Sequence, residues 1–151
     1  MSVRMVDISS KDVVFREATA EGYIRLRKDT VTLIKEGRVE KGDVFTIAKV
    51  AAIQAVKKTP ELIPLCHNIQ INFVDVKFQV VSENRVKVEA TVRASAKTGV
   101  EMEALTAVTV ALLNIWDLVK KYEKDERGQY PWTIIEGVRV VSKVKHQAST
   151  Q

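Results

Sequence analysis

Three short stretches of the chain combine residue types that can move protons or bind anions. The first, residues 62–67 (LIPLCH), is apolar until it ends in Cys66 and His67. A histidine here can be an acid, a base or a ligand, although context alone favours a structural, hydrogen-bonded histidine. Cys66 beside His67 suggests a nucleophile with its base. Adjacent residues of an extended segment point to opposite sides, which disfavours that pair, and two adjacent ligands fall short of a zinc site.

The second stretch, residues 97–103 (KTGVEME), precedes a long apolar segment. Two carboxylates in the first turn of a helix suit its dipole, and this alone explains Glu101 and Glu103. The helix that follows is apolar almost all round, so its first turn should line a concavity. In such a place Glu101 or Glu103 can hydrogen-bond a substrate.

The third stretch places Asp117 and Lys120 near the far end of the same predicted helix. Their spacing is ordinary for a surface ion pair. Lys41 precedes a predicted helix start, where the helix dipole disfavours a cation. It therefore either binds an anion or is an ordinary surface residue. Glu103 and Asp117 are 14 residues apart, or about 21 Å along a continuous helix. A small ligand that touches both groups would therefore need two subunits.

The elements that must position these residues follow from apolar periodicity and turn signals. Residues 17–27 alternate between apolar and polar types, which predicts a strand. Asp29 can cap a first helix, which Gly37 ends. Asp43 can cap a second helix that runs through Lys58. A change of phase at Phe73-Val74 predicts a β-bulge or kink in the next strand. The remaining elements are a turn at 82–84, a strand at 86–94, a helix at 101–121 and a strand at 133–145.

The resulting order β, α, α, β, β, α, β predicts an α+β fold. An antiparallel sheet with helices packed on one face, close to the ferredoxin-like split βαβ arrangement, fits this order. Such a sheet leaves its other face uncovered, and the apolar surplus on the strands indicates an oligomer. We expect a flexible segment at 1–12, a single catalytic domain at 13–145 and a flexible tail at 146–151.

Composition sets outer limits on the class of protein. A chain of 151 residues suggests one domain. No uninterrupted apolar run approaches the roughly 18 residues of a membrane span, and the first ten residues do not resemble a signal peptide. We therefore expect a cytoplasmic protein without a membrane partner. The single cysteine, Cys66, excludes an internal disulfide framework.

The charge balance points to an anionic partner. Lys and Arg total 24 against 19 Asp and Glu, a formal net charge of +5. This excess suits nucleic acid or a phosphorylated small molecule. The basic residues are spread along the chain, and no aromatic is interleaved with a basic run, which argues against nucleic acid. Most of the excess is explained by a solvated surface.

Taken together, these stretches closely resemble the family of cyclic pyranopterin monophosphate synthases, the molybdenum cofactor biosynthesis protein C type. LIPLCH and KTGVEMEALT are the most specific strings, and the matches run in one order over nearly the whole chain. They cover residues 5–9, 16–18, 41–45, 53–55, 62–67, 97–106, 117–120 and 137–139.

The resemblance implies a lyase of molybdenum cofactor biosynthesis. Its substrate is 3',8-cyclo-7,8-dihydro-GTP, made upstream by a radical S-adenosylmethionine GTP cyclase, and its products are cyclic pyranopterin monophosphate and pyrophosphate. No cofactor is firmly implied, and Mg²⁺ with the triphosphate is the one metal it allows. The family is a homohexamer, a trimer of dimers with shared sites.

The resemblance also assigns roles to individual residues of this chain. The catalytic positions fall on Lys41, Lys120 and Asp117, and which lysine is acid and which is base stays open. The positions for substrate binding include the pocket wall and the basic positions suited to the triphosphate. They are Cys66, His67, Glu101, Met102, Glu103, Arg16 and Lys57.

This chain departs from many relatives in two places. The segment 122–132 is longer, and the tail 144–151 lacks a glycine-rich basic ending, although Lys143 keeps its position. Two rival interpretations are a non-catalytic nucleotide-binding or nucleic-acid-binding module and a Cys66-dependent hydrolase. Retention of both lysines, His67 and both glutamates argues against the first rival, because a binder needs no proton transfer. The poor geometry for a Cys66–His67 pair argues against the second.

Overall fold

The structure is a computed structural model that describes residues 1–146. It contains the seven predicted elements and one additional short helix. In chain order they are β1 (Val14–Arg25), α1 (Lys28–Lys35), α2 (Val44–Lys57), α3 (Thr59–Leu62), β2 (Phe73–Ser82), β3 (Arg85–Ala96), α4 (Glu101–Glu123) and β4 (Ile134–His146). The extra helix, α3, places Pro60 in its first turn, where proline costs no hydrogen bond.

The four strands form one sheet in the order β2-β3-β1-β4. Each neighbouring pair is antiparallel. This topology is the split βαβ arrangement of the ferredoxin-like plait. The predicted α+β class, with an antiparallel sheet and helices on one face, is confirmed.

The core lies between the helices and one face of the sheet. Alternation along β1 directs Ala18, Ala20 and Ile24 toward the helices, and none of the three is exposed to solvent. The opposite face of the sheet carries charged side chains and some exposed apolar ones. Glu21 accepts a hydrogen bond from Arg139 at 2.9 Å and lies 3.6 Å from Lys87, while Phe15 and Phe73 are 36% and 40% exposed. The oligomer expected from the apolar residues of the strands stays a prediction.

Helix α4 is the centre of the fold. Its mean hydropathy of 1.5 over an 18-residue window is high enough, at this length, to cross a membrane, but 56% of that window is buried inside the protein. It packs so closely on β1 that a Cβ at Gly22 would lie 2.8 Å from Val108 Cγ1 and Leu112 Cδ1. A core helix explains its apolar composition.

Several predicted boundaries need correction. The N-cap of α1 is Arg27, and Asp29 lies in the first turn of that helix. No register shift occurs at Phe73-Val74, because β2 begins at Phe73 and its alternation is regular from there to Val80. The preceding residues 69–72 lie outside the strand, so the change of phase marks the start of the strand. Asp43 caps α2 as predicted, accepting a hydrogen bond from the Thr46 N–H at 3.0 Å.

The two ends of the chain were predicted to be flexible, which stays a prediction. Residues 1–12 contain no helix or strand. Strand β4 continues through His146, the first residue of the predicted tail. Residues 147–151 lie outside the described part of the chain.

A buried carboxylate that no local sequence pattern predicts joins three parts of the fold. Glu123, the last residue of α4, is fully buried. It accepts hydrogen bonds from the Arg27 N–H at 3.1 Å and from the Thr133 hydroxyl at 2.7 Å, and also from the Thr30 hydroxyl. Glu123 therefore fixes the end of α4 to the start of α1 and to the chain just before β4.

Candidate active site

Lys41, Asp117 and Lys120 lie together and are called the lysine cluster below. The ammonium of Lys41 donates to the backbone oxygen of Asp117 at 3.1 Å and lies 3.4 Å from its Oδ2, while Lys120 Nζ lies 3.4 Å from Oδ1. Hydrogen bonds from Lys120 and then Lys41 lower the pKa of the Asp117 carboxyl. The cluster thus holds an ionised carboxylate between two cationic donors at the surface.

A tight turn brings Lys41 to the end of α4. The Gly42 N–H donates to the Val39 oxygen at 3.2 Å, and Gly42 has a φ of 128°, in the region that favours glycine. Asp43 then caps α2. The predicted pairing of Asp117 with Lys120 is present, and the structure adds Lys41 to it.

A second group, called the glutamate cluster below, consists of Cys66, Glu101, Met102 and Glu103. Glu103 is only 1% exposed, and burial raises the pKa of its carboxyl, with a smaller contribution from Glu101. The Cys66 thiol lies 3.9 Å from Glu103 Oε2, and burial followed by the nearby Glu103 raises the pKa of that thiol. The cluster therefore favours a neutral thiol and resists ionisation of Glu103.

One oxygen of Glu103 has no partner. Its Oε1 atom is buried and accepts no hydrogen bond from any residue of the range 1–146. Buried polar atoms are seldom left unpaired in proteins. A ligand with N–H or O–H donors would satisfy this oxygen, whether Glu103 is protonated or ionised.

The outer part of the glutamate cluster is accessible. Met102 is 39% exposed. Lys143, on β4, places its ammonium 3.6 Å from Glu101 Oε1. Lys143, which keeps its position in the resemblance, therefore contacts this cluster, even though the tail beyond it differs.

Arg16 supports the loop that leads into α4. It is 5% exposed, and its Nε and Nη2 atoms donate to the backbone oxygens of Ala96 and Lys97, each at 3.2 Å. These bonds fix the end of β3, directly before the first turn of α4. Two of the guanidinium nitrogens are thus engaged with the backbone near the glutamate cluster.

His67 contacts the N-terminal segment instead of Cys66. Its Nε2 atom lies 2.7 Å from the backbone oxygen of Val6, and Lys97 Nζ donates to the backbone oxygen of Ser9 at 3.4 Å. The segment 6–9 therefore touches both of the most specific sequence strings. His67 and Cys66 are not arranged as a base and its nucleophile.

Lys57 belongs to neither cluster. It lines a separate cleft of about 380 Å³ between α2 and the segment before β2, together with Ile53, Ile69, Ile71, Asn72, Phe73 and Val74. Within residues 1–146, no three His, Cys, Asp or Glu side chains are grouped closely enough to hold a metal ion.

The lysine and glutamate clusters occupy opposite ends of α4. The helix is continuous from Glu101 to Glu123, so its rise separates Glu103 from Asp117 by about 21 Å. One subunit therefore carries two separate groups: the buried Glu103 with the partly buried Glu101 at the helix start, and two lysines around a carboxylate near its end. These residue types, on a ferredoxin-like plait, are suited to acid–base chemistry on an anionic substrate.

Comparison with known proteins identifies the family. The MoaC family model matches residues 5–146, and the chain belongs to this family. It is 63% identical over 142 residues to the probable cyclic pyranopterin monophosphate synthase of Sulfurisphaera tokodaii, covering 94% of this chain and 93% of the relative. The protein of the same name from Pyrococcus abyssi is 62% identical over 143 residues, covering 95% and 89%.

A third relative carries a slightly different name. The protein from Methanothermobacter thermautotrophicus, 57% identical over 143 residues and covering 95% of this chain and 89% of its own length, is named a probable cyclic pyranopterin monophosphate synthase accessory protein. The family expected from the sequence is confirmed. The roles of the individual site residues, by contrast, stay predictions.

Proposed function

We propose that the protein is a cyclic pyranopterin monophosphate synthase. It acts as a lyase in molybdenum cofactor biosynthesis, converting 3',8-cyclo-7,8-dihydro-GTP to cyclic pyranopterin monophosphate and pyrophosphate. The observation that carries the proposal is the lysine cluster, where Lys41 and Lys120 flank the carboxylate of Asp117 at 3.4 Å. Family membership over residues 5–146 supports the same activity.

The lysine cluster supplies the proton transfers. Opening and re-closing a purine ring require protons to be removed from some ring atoms and added to others, which suits a paired general acid and base. Lys41 and Lys120 fill these two roles, the acid as an ammonium group and the base as a neutral amine, and Asp117 orients both side chains. The order in which the two lysines act is left open.

The glutamate cluster binds the guanine edge. That edge presents N–H donors, and Glu103 offers a buried oxygen without a partner among the described residues. Glu101 lies beside it in the same helical turn. Cys66 and Met102 form part of the pocket wall, and His67 lies next to Cys66 on the same segment.

Basic residues hold the phosphates. Closure of the cyclic phosphate forms a bond from a sugar hydroxyl to the α-phosphorus, breaks the bond to the β-phosphate oxygen and releases pyrophosphate, while the hydroxyl proton passes to a base. Lys57 and Arg16 are the predicted contacts to the triphosphate, and cations near the leaving group stabilise its charge. A Mg²⁺ ion that arrives with the triphosphate would act as part of the substrate.

The complete site joins two subunits of a cytoplasmic homohexamer built from dimers. Support comes from α4, which is continuous and separates the two clusters by about 21 Å. A substrate of nucleotide size that touches Glu103 and Lys120 together must reach from one subunit's helix start to its partner's helix end.

The direct test is turnover of the cyclised dihydro-GTP, supplied by the upstream radical enzyme. We expect the purified protein to yield a pterin and one equivalent of pyrophosphate, measured by chromatography with fluorescence detection and by a coupled phosphate assay. A folded sample that binds the substrate without releasing either product would instead support a binding or accessory role.

A further inference from the structure

The loop that carries Lys41 is attached to α4 by more than Lys41 itself. The hydroxyl oxygen of Tyr122 accepts a hydrogen bond from the backbone N–H of Glu40 at 2.9 Å. The Glu40 carboxylate also pairs with the ammonium of Lys121. Glu40 directly precedes Lys41, so both contacts hold the residue before the lysine, one at its backbone N–H and the other at its carboxylate.

We propose that the Tyr122 hydroxyl is a positioning group for Lys41, an inference that rests on the proposed function of the lysine cluster. Tyr122 and Asp117 lie on the same helix, α4, five residues apart. The helix that binds the Lys41 ammonium thus also anchors the backbone one residue before Lys41. Two attachment points restrict a long, flexible side chain far more than the ammonium contact alone.

The other contact between Glu40 and α4 is weaker. The Lys121–Glu40 pair has side chains that are 60% and 68% exposed, and exposed pairs of this kind contribute little. The turn itself is closed by the Gly42 N–H, which donates to the oxygen of the buried Val39 at 3.2 Å, but this bond does not tie Glu40 to α4. The Tyr122 bond, made by a side chain of two rotatable bonds, is therefore the directional contact that attaches the backbone at Glu40 to α4.

Correct placement of Lys41 should appear in the chemical step. Misplacement of a reacting group by about 1 Å can cost on the order of 10²-fold in rate. Tyr122 does not touch the site where substrate binds in this proposal, so its loss should alter kcat more than KM. Loss of the Tyr122 hydroxyl should also release the Lys41 amine from Asp117, which otherwise holds it.

The experiment compares Tyr122→Phe with Tyr130→Phe in the full-length protein. Tyr122→Phe keeps the ring and removes only the acceptor. Tyr130 is a matched control, because its ring packs on Trp116 of the same helix at 5.2 Å between centroids. Three quantities are measured: kcat, KM, and the rate at which acetic anhydride modifies Lys41, by mass spectrometry with Lys28 as the internal reference.

For Tyr122→Phe we expect kcat to fall about tenfold, KM to stay within about twofold and Lys41 acetylation to rise severalfold. Tyr130→Phe should match the wild type in all three. Where the wild type is active, either of two results in folded Tyr122→Phe would overturn the proposal: a kcat equal to that of the wild type, or a Lys41 acetylation rate equal to that of the wild type. If the wild type itself shows no turnover, the proposed function fails, and the acetylation comparison alone then decides whether Tyr122 holds Lys41.

Discussion

At the scale of single residues, the proposed function places the proton transfers on the lysine cluster. Replacing a general acid or base typically costs about 10²–10⁴ in rate. We therefore expect Lys41→Ala and Lys120→Ala each to lower kcat by that order at saturating substrate. Lys28→Ala is the control, since Lys28 is 71% exposed in a surface pair with Glu83. An increase in KM with kcat unchanged would make the lysine concerned a phosphate anchor.

Glu103 should make stability depend on pH. Burial raises the pKa of its carboxyl above the ordinary 4.5, so the folded protein keeps this proton more firmly than the unfolded chain. The associated stability is complete below the unfolded pKa and is lost as pH rises through the folded pKa. Glutamine cannot ionise and avoids that loss.

The corresponding measurement is urea unfolding of wild type and Glu103→Gln between about pH 4 and pH 8. We expect the stability of the wild type relative to the variant to decline as pH rises. Each tenfold change in the acid's ionisation constant corresponds to about 1.4 kcal/mol. Parallel stability curves for the two proteins would show that Glu103 titrates as an ordinary glutamate.

Cys66 should be dispensable as a nucleophile. Burial and the neighbouring Glu103 raise the pKa of its thiol, which disfavours the reactive thiolate. His67 contacts Val6 and does not serve as its base. Cys66→Ser should therefore retain much of the wild-type turnover. A folded but inactive Cys66→Ser protein, together with a substrate adduct trapped on Cys66 of the wild type, would contradict this.

At the scale of elements, the closest contact is that of α4 with β1 at Gly22. An added methyl group would lie 2.8 Å from Val108 and Leu112 atoms, and overpacking of this kind costs about 1–3 kcal/mol. Gly22→Ala should lower the free energy of unfolding by that amount in urea titration. The same change in a Val108→Ala background should cost less, because the alanine removes one of the three opposing atoms, the third being Val138 Cγ2 at 3.0 Å. If Gly22→Ala lowers the free energy of unfolding equally in the wild-type and Val108→Ala backgrounds, no strain is relieved, and the Val108 side chain is not its source.

Local signals predicted most elements because each depends on nearby residues. The alternation of β1 and the Asp43 cap of α2 follow from side-chain period and capping chemistry. The start of β2 at Phe73 was missed, since Ile69 and Ile71 also alternate but pack against the core from outside the strand. Ile69 and Ile71 are partly buried by α2, a separate element. The apolar periodicity of residues 69–73 cannot reveal that contact.

The candidate site was only partly accessible from sequence. The spacing of Asp117 and Lys120 predicted their contact, whereas the addition of Lys41 depends on packing between distant parts of the chain. Tyr122 and Glu123 gave no local signal, because their partners, Glu40 and Arg27, lie far away in sequence. Such residues are recognised only when the tertiary structure is known.

At the scale of the whole molecule, one helix separates the two groups that the proposed function assigns to a single substrate. The apolar middle of α4 is buried, and the helix runs without a break from Glu101 to Glu123. No bend brings its ends together. The complete site in the proposed function therefore combines the glutamate cluster of one subunit with the lysine cluster of another.

This arrangement predicts complementation between two inactive variants. Glu103→Ala subunits lack the acid at the helix start, and Lys120→Ala subunits lack the lysine at its end. In a mixed dimer, one of the two sites draws Glu103 from the Lys120→Ala subunit and Lys120 from the Glu103→Ala subunit. That site is intact, so the mixture should recover activity that neither parent has.

The test requires verified mixed oligomers, obtained by co-expression with two different affinity tags and sequential purification. Turnover by the doubly tagged fraction is compared with that of each parent prepared in the same way. A co-expressed pair of Lys41→Ala and Lys120→Ala is the matched control, because Lys41 and Lys120 belong to one cluster within one subunit. Every site in that mixture lacks one lysine, so it should stay inactive. If the Glu103→Ala and Lys120→Ala mixture is equally inactive, the site lies within one subunit, and one of the two clusters is not part of it.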